Sequence, residues 1–161
     1  MTHLTRTLVS VALIGIVTMM TGCLDSNDDV ENGLWSVEIS TGEGAVEVRC
    51  EPALTVEQRR TGLMGREYLG DHRGMVFVFD PPANVTFWMK DTKLALDMVF
   101  INASSRIVSI VELGPGWGLP DEEVPICNSP GPVRYVMEVN QGFCREHDIL
   151  VGDLAVVHEP T

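Results

Sequence analysis

The sequence has no Cys-x-x-Cys pair, no Gly-x-Ser-x-Gly elbow, no phosphate-binding glycine loop and no dinucleotide fingerprint. The first absence argues against a dithiol redox couple and a zinc knuckle. The others argue against the common serine-hydrolase, phosphoryl-transfer and nucleotide-cofactor chemistries. Histidine is scarce, and His72, His147 and His158 stand apart without ligand spacing, so neither a metal nor a cofactor is expected. Basic residues are also few: 11 Lys and Arg against 23 Asp and Glu give a formal net charge of −12. Such a surface repels phosphate backbones and anionic headgroups, and nucleic acid is not expected as a partner.

No apolar run is long enough to span a bilayer. The longest, Leu8 to Met20, follows Arg6 and leads into Thr21-Gly22-Cys23. A cationic start, a short apolar segment and small residues before a Cys make a secretory signal over 1–22. The closing Met20-Thr21-Gly22-Cys23 resembles the lipobox of bacterial lipoproteins, in which the Cys thiol is acylated and becomes the new N-terminus. Cys23 is therefore the expected lipidation site and the membrane the expected partner through that anchor. Loss of Arg6 with the signal leaves the mature chain near −13. Residues 24–33, with Asp25, Asp28, Asp29 and Glu31 and no aromatics, read with Cys23 as a solvated acidic tether. Leu24 stands where an Asp would signal inner-membrane retention. The expected location is the cell envelope, facing the periplasm or outside, with the outer membrane favoured over the inner.

Residues 34–161 are one domain's worth of chain. Alternation and β-branched residues predict strands near 34–40, 45–51, 75–79, 85–90, 96–101, 106–113, 133–139 and 153–158. Thr55 with Gln58 three residues on forms a capping box. Apolar and basic residues at helical spacing then predict a helix near 55–64, stopped at Gly65, and a short C-terminal helix is expected near 141–147. The fold class is α+β, mainly β: about eight short strands in a curled sheet or barrel. The segment 114–132 reads as a long Gly/Pro loop, which needs pinning. Cys50, Cys127 and Cys144 permit one disulfide in an oxidising compartment. Spacing cannot select the pair, but Cys127–Cys144 would pin that loop.

Gly62-Leu63-Met64 with Arg66, Gly74-Met75 with Phe77 and Phe79, Trp88-Met89-Lys90-Asp91-Thr92, and Leu96-Asp97 with Phe100 form an ordered set of motifs. Tyr135-Val136-Met137-Glu138, Gly142 and Gly152-Asp153 complete it. This set resembles the bacterial and archaeal family catalogued as domain of unknown function 192, over roughly 49–158. Asp91 stands where that pattern usually has Asn, and Ala95 where it has Pro. Members are typically exported and their biochemical activity is unassigned, so the resemblance implies a domain and an address but no reaction.

Candidate site residues come from charges among apolar neighbours. Asp97 shares a strand face with Val99 and Ile101, and Glu138 shares one with Val136. A buried carboxylate needs a cation or several donors. Arg66 and Lys90 are the available cations, and Arg66 with the turn from Asp91 to Ala95 is the expected partner of Asp97. Arg66, Trp88, Lys90, Asp91, Thr92, Asp97 and Glu138 thus form either a ligand pocket or a structural ion network. The expected function is an exported, lipid-anchored envelope protein with a non-catalytic domain that binds a small ligand or an envelope protein. The alternative is a small envelope enzyme using Asp97 and Glu138 as a carboxylate pair. Met64, Met75, Met89, Met98 and Met137 would suit cuprous copper, but their apolar alternation reads as core filling.

Overall fold

The computed structural model describes residues 33–160. Cys23 and the expected signal over 1–22 lie outside the described residues, as does all of the tether but Gly33.

The chain opens with an antiparallel hairpin, β1 (Trp35–Thr41) and β2 (Gly44–Ala53). Helix α1 (Val56–Thr61) follows, then β3 (Arg73–Ala83), which pairs parallel to β2. The capping box forms as expected, with Gln58 N–H donating to Thr55 Oγ1 (3.1 Å) and Thr55 N–H to Gln58 Oε1 (2.9 Å). The helix ends earlier than spacing predicts, at Gly62 rather than Gly65. Gly62 turns the chain at φ +49°, pressed so close to the sheet that a Cβ there would lie 3.3 Å from Phe77 Cζ.

β4 (Thr86–Trp88), β5 (Leu96–Ile101), β6 (Ile107–Leu113), β7 (Ile126–Asn128), β8 (Val133–Asn140) and β9 (Leu154–His158) complete the strands, with α2 (Phe143–Glu146) between the last two. The main sheet has seven strands in the order β6-β5-β8-β3-β2-β1-β9, and β4 with β7 forms a separate pair. β7 was not expected: three residues are too few for alternation to show. It and a single 3-10 turn (Asp121–Glu123) give structure to the segment read as a Gly/Pro loop.

The sheet curls into a half-barrel. Its two edges meet where Ala155 N–H donates to Ser105 O (2.8 Å) and Ile107 N–H to Asp153 O (3.0 Å). One hydrophobic cluster, with Val37, Ile39, Val99, Ile101, Met137 and Ala155, draws on every strand of the main sheet. A second, with Phe77, Met98, Phe100 and Val136, lies on the other face beneath Leu63, Met89 and Cys127. All six residues of β5 are buried because both faces of this central strand are covered.

The cysteines depart from expectation. Cys50 and Cys144 belong to the first cluster and Cys127 to the second, so the sheet stands between Cys127 and Cys144, and all three are free thiols. The 114–132 segment is pinned instead by the β4–β7 pairing and by burial of Cys127. Burial pushes all three thiols up, Cys127 to about 11. Since the thiolate is the nucleophile, Cys50, Cys127 and Cys144 should resist iodoacetamide at pH 8 in the native protein and react fully after denaturation. Peptide mapping checks this, and a disulfide between any two would contradict it.

Candidate functional site

Sheet register sets the site. On β8, Glu138 lies directly opposite Met75 of β3 on one side and Met98 of β5 on the other, and both thioethers belong to the second cluster. The carboxyl is thus flanked by apolar side chains on its own face. It is 5% exposed, accepts no hydrogen bond from the described residues, and its oxygens are not sealed from the hollow it lines. Burial alone pushes it up to about 8, because desolvation disfavours the charged form.

Glu138 lines a hollow of about 160 Å³ between the sheet and the Gly62 turn. Phe77, Phe87 and Trp88 supply aromatic wall, Thr92 a hydroxyl, and Arg60 stands exposed among the lining residues. The rings of Phe77 and Phe87 meet edge to face at 4.9 Å. Arg59 also lines the hollow, but its guanidinium donates to the carbonyls of Leu54 and Val78 (3.1 Å to the latter) and lies 5.3 Å from the Phe79 ring centroid. Cys127 is electrostatically coupled to Glu138 from β7, which adds to the rise in its thiol.

The residues expected together separate into four places. Trp88, Thr92 and Glu138 share the hollow. Lys90 and Asp91 line an adjoining one of about 320 Å³ that also includes Arg60, Met64 and Trp88. Lys90 pairs with Asp121 and lies 5.3 Å from the Trp88 ring centroid. Asp91 sits at φ +52°, a conformation that Asn and Asp tolerate, and its carbonyl accepts from Gly65 N–H (2.8 Å). That geometry explains why either residue suits the position.

Asp97 is on the other face, 1% exposed. It is buried as expected, but its donors are neither Arg66 nor the turn from Asp91 to Ala95. Its oxygens accept from Gly142 N–H (3.1 Å) and Cys144 N–H (3.0 Å) at the start of α2. Arg66 instead makes a two-point pair with Glu51, one leg at 2.7 Å. The Arg66–Asp97 pair is therefore corrected. So is the carboxylate pair of the enzyme alternative, because a substrate on one face of the sheet cannot meet both acids. The methionines divide similarly: Met137 faces the first cluster, while Met75, Met89 and Met98 face the second.

Phe77, Phe87, Arg60 and Gly62 were missed as site residues. Phe87 and Arg60 carry no sequence signal of it, since each looks like an ordinary core or surface residue. Gly62 and Phe77 lie in the motif set, where a glycine just before an apolar pair marks a close approach.

A profile of the family catalogued as domain of unknown function 192, described as "Uncharacterized ACR", matches residues 37–157. A solved protein of unknown function from Novosphingobium aromaticivorans DSM 12444 is 30% identical, with a TM-score of 0.69 over 76% of this chain and 84% of its own. A second, from Sinorhizobium meliloti 1021 and named "putative transcription regulator", is 33% identical, with a TM-score of 0.68 over 77% and 93% of the two chains. No curated protein matches the chain significantly.

Proposed function

The chain belongs to the uncharacterised family catalogued as domain of unknown function 192, and on that premise we propose an exported, lipid-anchored envelope protein whose domain binds a small ligand without catalysis. The ligand reading rests on one observation. Glu138 accepts no hydrogen bond from the described residues, and its carboxyl opens onto an aromatic hollow. A carboxyl with no donor from the described residues takes its hydrogen bonds from whatever fills the hollow it faces, a ligand or water. Binding sites take this form, a mainly apolar hollow with few convergent polar groups. Among the described residues, no Ser, Cys–His pair or second carboxyl lines the hollow with Glu138 in the arrangement that nucleophilic or acid–base catalysis needs. The regulator name of the S. meliloti protein is not carried over, because acidic residues outnumber basic ones 23 to 11.

The address rests on the lipobox and the acidic tether, and the outer membrane remains the favoured side of the envelope. Cys23→Ser should move the protein to the soluble envelope fraction, because acyl chains supply the membrane affinity. For the ligand, Thr86→Trp should fill the hollow from an exposed lining position. Untargeted mass spectrometry of small molecules carried by the purified mature protein should find a species in the wild type that Thr86→Trp loses. Equal carriage by both proteins, or none by the wild type, would remove the ligand reading.

A further inference from the structure

We propose, resting on the ligand-binding reading above, that the Glu138 hollow takes a small organic cation, an alkylammonium group seated on the carboxylate between Phe77, Phe87 and Trp88. Three features select this class. First, the carboxyl accepts from no donor of the described residues, and an ammonium brings up to three N–H groups to two oxygens, whereas a carboxylate or alcohol brings fewer or none. Second, aromatic walls favour a cation through the ring quadrupole, and Trp88 already holds Lys90 Nζ at 5.3 Å from its centroid. Third, the mature chain, near −13, raises the local concentration of cations over anions.

Size restricts the class further. The hollow of about 160 Å³ resembles a cavity of roughly 150 Å³ known to hold benzene, so an amine with about four or five heavy atoms fits. Arg60 does not reverse the sign: its side chain is exposed, where water and salt screen it, while Glu138 is desolvated. The groups facing Glu138 are Arg59 and Arg60 from α1 and Cys127 from β7. β3, β4 and β5 present Met75, Phe77, Phe87, Trp88 and Met98, none of which titrates near neutrality.

A proton balance follows. Below about pH 8 the free carboxyl is protonated, so Glu138–COOH and R–NH₃⁺ give the ion pair and one H⁺ released to solvent. At pH 7 about 0.9 proton per ligand should be released.

The test is calorimetric titration of the detergent-solubilised mature protein with n-butylammonium, n-butanol and butyrate, in two buffers of different ionisation heat. The expected result is binding of n-butylammonium alone, with Kd falling about tenfold from pH 6 to 7 and levelling above about 8. Glu138→Gln should weaken it at least about a hundredfold and abolish proton release, and Thr86→Trp should block it. Tighter binding of butyrate or butanol, or n-butylammonium binding without proton release, would overturn the cation assignment while leaving a ligand pocket in place. Binding of none of the three would also overturn it, and the carried-ligand comparison of wild type with Thr86→Trp then judges the pocket separately.

Discussion

Glu138→Gln is expected to stabilise the protein at pH 8 by about 4 kcal/mol relative to its effect at pH 4.5. The folded-state carboxyl titrates near 8, against an ordinary value of 4.5. Between those values the unfolded chain has released the proton and the folded chain still holds it. Stability therefore falls by about 1.4 kcal/mol for each unit of rising pH, and the loss is complete above about 8. Gln has the same shape and does not titrate, so its curve lacks this slope. Against a typical domain stability of about 5–15 kcal/mol, the wild type carries a substantial cost at neutral pH. Retaining such a cost is what a binding site would require. Urea denaturation of both proteins at pH 5, 6.5 and 8 checks this. Parallel curves would mean that Glu138 is ionised and satisfied in the fold, and the argument for a site there would lose its basis.

Asp97→Ala should destabilise the domain by about 3–5 kcal/mol, mainly by orphaning two buried N–H donors, each worth roughly 1–3 kcal/mol. Those donors, on Gly142 and Cys144, begin α2, whose Phe143 and Cys144 pack into the first cluster. The amides of Gly142 and Cys144 should lose hydrogen-exchange protection together, and unchanged protection would show that Asp97 does not hold this turn. In a double-mutant cycle Asp97→Asn and Arg66→Ala should be additive, because Arg66 pairs with Glu51. Coupling above about 0.5 kcal/mol would restore the Arg66–Asp97 pair.

Local features of the fold were legible because their causes are local. Thr55 and Gln58 announce α1 through hydrogen bonds that span three residues. Alternation along 96–101 and 133–139 shows which residues of each strand share a face, and places Asp97 and Glu138 among apolar neighbours. Short elements escaped for the same reason: β7 is three residues long, and its place depends on β4, 40 or so positions earlier. Val133 breaks the alternation expected of its strand, joining Val136 in the second cluster where β3 shifts register between Val78 and Ala83.

The amino-acid sequence by itself determined that the domain is β-rich and that two carboxylates stand in apolar strands. Only the tertiary structure decided whether those carboxylates meet. Strand period is two, so a register displaced by one residue reverses the face. Asp97 lies opposite Val139, and Met98 opposite Glu138. That one-residue offset turns Asp97 toward α2 as a structural cap and leaves Glu138 alone in the aromatic hollow. Periodicity is written within each strand, whereas register arises between strands, from packing and turns that no single segment encodes.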